Sequence, residues 1–261
     1  MSTRKFYRRG SIHLTAEQGA PVSFLDIRRQ FDFRGIKIGA WVTEDEKQRA
    51  ASLFHNALCD LMTILGGNEV LISLRGTLAL QYGSGGEKGV NAHYELGSRT
   101  FALAKNAGPG SMAHEWFHAF DHYIGDKLFV EKARDDFASC AWLKKARVVK
   151  HALNEKLETC YRAILLDEAG LKPNDYVKRS RKYDKKIGAD YFGLPEELCA
   201  RAFEAFIQDA AIKNMFLVKG TVQSEEAKLG LYPEGEHRLR INTAFLAYFS
   251  HLGAVLKHQA G

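Results

Sequence analysis

Long apolar runs are missing from this sequence, and no window approaches the roughly 18 uninterrupted apolar residues that a membrane-spanning helix requires. Residues 1–13 are basic and polar, where a secretion signal needs an apolar centre. These absences predict a cytoplasmic protein with no membrane partner. Cysteine is sparse too: Cys59, Cys140, Cys160 and Cys199 stand singly, with no pair at the two-residue spacing of a zinc knuckle or a redox motif. They are expected to be reduced, mostly buried thiols, with neither disulfides nor thiolate metal sites. There is no internal repeat and no low-complexity linker. The glycine-rich stretch 83–89 lacks the Gly-Lys-Ser/Thr ending of a phosphate loop and reads as a turn. Charge is not one-sided either. The 261 residues carry 37 Lys and Arg against 31 Asp and Glu, a net +6 that helps binding to acidic partners without identifying nucleic acid.

What is present has the pattern of an α+β protein. Thr43 and Glu46 form a capping box before apolar residues at Leu53, Phe54, Ala57, Leu58, Leu61, Met62 and Leu65, which predicts an amphipathic helix closed by Gly66 and Gly67. Residues 70–82 are mostly apolar and predict a strand with a bulge near Gly76. A second strand is expected over 99–105, followed by a turn to Ser111 as an N-cap. A helix over 111–124 should stop at Gly125, and one or two helices should cover 130–169. The basic run 178–186 reads as a solvated loop, Pro195 as the start of a helix to about residue 212, and 238–257 as an amphipathic helix. Residues 1–35, with Arg8, Arg9, Arg28 and Arg29, form a basic, irregular lead-in, and 36–261 a single domain.

The sharpest feature is His114-Glu115-Trp116-Phe117-His118, an HExxH motif inside a predicted helix. One helical turn separates the histidines, so both imidazoles can reach one ion, while Glu115 projects toward the place of a bound water. Zinc fits this donor type best, with one coordination position left for water. The pattern occurs by chance in roughly one chain in a hundred of this length. Its place on a capped helix, anchored by Trp116, Phe117 and Phe120, argues against coincidence.

A catalytic zinc needs a third protein ligand, and Asp121, His122, His93 and the Glu196-Glu197 pair are available. Asp121 is nearly in line with both histidines, so its carboxylate suits a supporting role, accepting a ligand's other ring N–H or tying down the helix end. His122 is less well aligned and reads as a surface histidine. Metzincin spacing fails, because Asp121 stands where that motif needs a glycine and Ile124 where it needs a histidine. On the helix from Pro195, Glu197, Arg201 and Glu204 recur at steps of four and three as one polar stripe. Glu197 is the chosen third ligand, with Arg201 orienting it. The alternative is a stripe that is simply solvated.

Several segments carry a resemblance: Ile72-Ser-Leu through Tyr82-Gly-Ser-Gly-Gly, Ala92-His-Tyr-Glu, Gly108-Pro-Gly-Ser-Met-Ala-His-Glu-Trp-Phe-His-Ala-Phe-Asp, and Glu197-Leu-Cys-Ala-Arg-Ala-Phe-Glu204. They resemble the metallopeptidase-like domain of large polyvalent proteins of mobile elements, and from about Phe33 onward the chain is similar to the bacterial CLCA-X family. Around His114 to Asp121 and Glu197 to Phe203 it is also similar to the catalytic segments of anthrax lethal factor, a gluzincin. The resemblance implies a zincin-like fold with a small mixed sheet, an HExxH helix and a helical C-terminal half. It implies His114, His118 and Glu197 as zinc ligands, Glu115 as base, and the strand at 99–105 as the one that aligns a substrate backbone. Arg201 departs from the pattern, standing where lethal factor has a second glutamate.

The expected activity is zinc-dependent hydrolysis of a peptide bond in a protein or peptide substrate, with Tyr191 or His93 stabilising the oxyanion. The rival is a non-catalytic module that binds protein or nucleic acid, with the 178–186 run contacting phosphates.

Overall fold

In the computed structural model, residues 8–9, 21–83, 92–105, 110–131 and 136–260 are described. The glycine-rich stretch expected as a turn therefore lies outside the described residues beyond Gly83. The chain forms two compact units. The first comprises Met1–Ala119, Ala210–Lys219 and Gly253–Gly261, and the second Phe120–Asp209 and Gly220–Leu252. The whole is mixed α+β, with a small four-stranded sheet and a helical C-terminal half.

The first unit opens with β1 (Arg8–Arg9), α1 (Phe24–Phe31), β2 (Gly35–Ile38), α2 (Glu44–Ile64), α3 (Glu69–Ile72), β3 (Ala79–Tyr82), β4 (Ala92–Glu95) and β5 (Thr100–Leu103). Helix α1 lies in the stretch expected to be an irregular lead-in. Its reciprocal Ser23–Asp26 capping box fixes the start, and Phe24, Ile27 and Phe31 are buried along one side. The sheet order is β2-β3-β5-β4, with β2, β3 and β5 parallel and β4 antiparallel to β5. Phe54 of α2 meets the rings of Phe24, Tyr82 and Phe101 at centroid separations of 5.6, 5.7 and 6.4 Å, which makes an aromatic core over the sheet.

Two expectations fail here. The apolar run 70–82 is not one strand: it begins as α3, turns through Leu74, Arg75 and Gly76 with positive φ, and is extended only from Ala79. Periodicity does not separate short buried helix from strand, and the turn decides it. The strand expected at 99–105 exists as β5, but β3 and β4 occupy both of its edges. It has no ladder left to offer a substrate backbone. β4, paired only with β5, and β2, paired only with β3 among the described residues, are the sheet edges that have.

The start of α4 (Met112–Leu128) is tied to the segment around β6 (Lys213–Asn214). Asn214 donates to the buried Asp60 carboxylate at 2.8 Å and accepts from the amides of Phe216 and Leu217 at 2.9 and 3.1 Å. That braced turn then receives Gly110 N–H on Phe216 O at 3.1 Å and Ala113 N–H on Leu217 O at 3.0 Å. Trp116 Nε1 donates to Ile72 O at 3.0 Å. Gly110 has φ 111°, and a Cβ there would lie 2.5 Å from Lys219 Cγ and 2.9 Å from its backbone nitrogen.

The second unit contains α5 (Ala138–Leu143), α6 (Ala152–Leu165), α7 (Asp175–Ile187), α8 (Pro195–Asp209), α9 (Glu225–Lys228) and most of α10 (Gly235–Ala260). α8 packs against α5 and α6 and is buried from Glu197 through Ile207. Phe203 and Phe206 of α8 interleave with Phe245 and Phe249 of α10 at centroid separations of 5.4 to 6.3 Å. Arg238 clamps the end of α8 with two bonds to Asp209, at 2.7 and 2.8 Å, and one to Ala205 O at 3.2 Å. α4 does not stop at Gly125 as expected. It continues to Leu128, whose burial with Phe129 outweighs the roughly 1 kcal/mol cost of an interior helical glycine. The basic run 178–186 is helix α7, not a loop. Tyr176, Val177, Ser180 and Asp184 line its buried side. No helix of the described residues is long and apolar enough to cross a membrane.

Two outcomes follow. Gly110→Ala should destabilise the protein by about 1–3 kcal/mol, because the left-handed backbone and the Lys219 contact both oppose a Cβ; an unchanged denaturation midpoint would refute this. Burial lowers the pKa of His237 from its usual 6.5, while its contact with Ala163 O acts in the opposite sense. As pH falls below 6.5 the unfolded chain takes up the proton before the folded one, so stability is lost through that window. His237→Gln should flatten the fall of Tm on the acid side, and parallel Tm curves would count against it.

Candidate metal centre

α4 carries the motif because its apolar residues recur at helical spacing: Met112, Ala113, Trp116, Phe117, Ala119 and Phe120 are all buried. With its first turn fixed by Gly110, Ala113 and Trp116, the positions of His114 and His118 follow from helical geometry. Their Nε2 atoms are 3.0 Å apart and their rings meet edge to face at 4.6 Å. His118 and the intervening Glu115 are buried, and His114 is half-buried. At 3.0 Å the facing nitrogens are within hydrogen-bond distance, and which ring donates depends on the tautomers.

His114, His118 and Glu197 each offer one ligand atom, and these atoms all lie within 4.8 Å of one another. Glu196, Asp121, His122, His93 and Tyr191 are not in that group.

On α8 the polar stripe is not solvated: Glu197, Arg201 and Glu204 are 8, 3 and 5% exposed. Arg201 donates to Phe192 O, and its guanidinium carbon sits 4.9 Å from the centre of the Phe192 ring. Its Nη1 lies 3.8 Å from Glu197 Oε2, a charge contact longer than a hydrogen bond. Burial opposes the guanidinium charge, but Tyr176 and Glu197 hold its pKa above the ordinary value. Glu204 accepts from Tyr232 OH at 3.2 Å. Burial, then Glu204, pushes that phenol well above its usual range.

The loop that receives Arg201 is itself fixed. Asp184 of α7 accepts from the amides of Phe192 and Gly193 at 2.9 and 2.7 Å. A Cβ on Gly193 would lie 2.6 Å from Arg181 Cγ. Asp184, Phe192 and Tyr232 were not among the residues singled out from sequence. The signal for Asp184 was its helical spacing from Tyr176, Val177 and Ser180, hidden by the surrounding lysines.

The remaining candidates separate. Asp121 is fully buried and accepts from Ser139 Oγ and Tyr161 OH, both at 2.6 Å, which ties α4 to α5 and α6. His122 is buried at 3% exposure, its ring 6.2 Å from that of Phe137, and is not the surface histidine expected. Glu196 accepts from Cys140 Sγ at 2.9 Å, so the two neighbouring glutamates have different surroundings. Burial, then Glu196, raises the pKa of that thiol strongly. Cys59, Cys160 and Cys199 are buried. His93 is exposed on β4, and Tyr191 is exposed with its ring edge-on to Phe192 at 5.0 Å.

No curated protein and no solved structure matches the chain. Residues 183–256 match the family model described as large polyvalent protein-associated domain 1. That stretch contains Glu197, Arg201, Glu204 and Arg238 and stops short of the 114–118 motif. Over it, the chain is similar to that domain.

Proposed function

We propose that the chain is a zinc-dependent peptidase of the zincin-like, gluzincin type. His114, His118 and Glu197 would hold the ion, and Glu115 would be the general base. The observation that carries the reading is the approach of two ring nitrogens and one carboxylate oxygen within 4.8 Å. The donor set suits zinc, since two neutral imidazoles and a carboxylate leave one tetrahedral position open. Nitrogens bound at about 2.0–2.1 Å to such an ion stand roughly 3.3 Å apart, and those of His114 and His118 stand 3.0 Å apart. When bound, zinc supplies a Lewis acid that lowers the pKa of a water toward about 7 and polarises a peptide carbonyl.

The chain's own residues do the rest. Glu115 takes a proton from the attacking water at its carboxylate and returns it to the leaving amine nitrogen. Arg201, held by Phe192, restrains the Glu197 carboxylate by its charge. Asp121 keeps α4 in place through Ser139 and Tyr161. A substrate strand would pair with the edge of β4, where His93 is exposed, and Tyr191 or His93 would donate to the oxyanion. A non-catalytic binding module is the second reading, favoured by the basic surface of α7.

The test joins metal analysis to cleavage of a peptide library. Glu115→Gln should lower cleavage about 10²–10⁴-fold while zinc stays near one per chain. A variant with full activity would remove Glu115 as the base, and zinc without any cleavage in the unaltered protein would support the binding module instead. Glu197→Ala should weaken zinc binding at least tenfold in a competition titration; undiminished affinity would remove it from the ligand set.

A further inference from the structure

We propose that the exposed side of α7 is a binding surface for the phosphate backbone of single-stranded nucleic acid. The inference does not depend on the metal. α7 carries Lys178, Arg179, Arg181, Lys182, Lys185 and Lys186 against two acids, Asp175 and Asp184. Asp184 is buried and spends both oxygens on the amides of Phe192 and Gly193. Asp175 pairs with Lys178 at 2.9 Å, and Glu234 pairs with Arg179 at 3.0 Å. Arg181, Lys182, Lys185 and Lys186 are exposed and form no ion pair among the described residues.

Their spacing gives the surface its meaning. Lys178, Arg181, Lys182 and Lys185 stand at i, i+3, i+4 and i+7, a stripe about 10 Å long at 1.5 Å per residue. A stripe of that length faces only a few successive phosphates of a strand. Like charges at these separations repel and destabilise a helix. The first turn of α7 pairs opposite signs at i,i+3, as Glu44 and Lys47 do in α2 and Glu225 and Lys228 in α9, but Lys182 has only Lys178, Arg179, Lys185 and Lys186 three and four residues away. The helix dipole favours Lys185 and Lys186 in the last turn but does nothing for Arg181 and Lys182. An anion laid along the helix removes the repulsion.

Aromatic rings of the loop whose Gly193 packs against Arg181 favour a single strand over an acidic peptide. Tyr183 of α7 meets Phe192 at 5.1 Å, and Tyr191, with 44% of its surface exposed, meets Phe192 at 5.0 Å. Unpaired bases stack on such rings, and acidic side chains gain nothing from them.

The experiment uses the full chain and a fluorescein-labelled 20-nucleotide strand, followed by anisotropy across a salt series. A duplex, polyglutamate and anionic vesicles are the competing probes. The variant replaces Arg181, Lys182, Lys185 and Lys186 with Gln. Its control replaces Lys37, Lys144, Lys228 and Lys257 with Gln, an equal charge change elsewhere. The α7 variant should bind the strand at least tenfold more weakly at low salt, and its slope of log K against log salt should shrink by about 0.7 for each phosphate that is no longer neutralised. The control should keep both within twofold. The proposal is overturned if the unaltered chain does not bind at low salt, if the control loses as much, or if duplex, polyglutamate or vesicles are preferred. Circular dichroism of both variants verifies that binding is lost without loss of fold.

Discussion

Two imidazole nitrogens, one helical turn from each other on α4, are held 3.0 Å apart. The helix supplies the spacing, but its phase has to come from outside. It comes from the braced turn at Asn214, which takes the amides of Gly110 and Ala113 through Phe216 and Leu217, and from Trp116 bonded to Ile72 O. A helix anchored in its first turn cannot rotate about its axis, so the orientation of His114 and His118 is set by protein contacts alone. Such pre-positioning would lower the ordering cost of the proposed metal binding.

α8 presents the opposite problem, which is how to keep charge inside an apolar helix. Leu198, Ala202, Phe203 and Phe206 make it a core element, yet Glu197, Arg201 and Glu204 are buried on it. Charges out of water are costly unless each finds partners. Arg201 finds a carbonyl, an aromatic face and the Glu197 carboxylate, and Glu204 finds the Tyr232 hydroxyl. Buried charge of this kind marks functional sites more often than it adds stability.

α7 links these demands to the surface. Its inner side supplies Asp184, which fixes the Phe192–Gly193 turn that holds Arg201, and its outer side is cationic. The two sides share a backbone and use different chemistry: backbone amides satisfy the one, and a polyanion would satisfy the other.

The sequence by itself determined what depends on neighbours three or four residues away. The HExxH pair, the Thr43 capping box of α2, the proline start of α8 and the amphipathic α10 were legible because helical period and capping act locally. Locality also explains the misreadings. Lysines masked the short buried side of α7, α1 has only 8 residues, and the 70–82 run is too uniformly apolar to show that Leu74 and Arg75 turn the chain. Only tertiary structure decided that the Glu197 stripe is buried, that β5 is an interior strand, and that His122 lies inside. Each of those facts is set by partners far along the chain, and side-chain spacing carries no information about which distant surface will exclude water from a given residue.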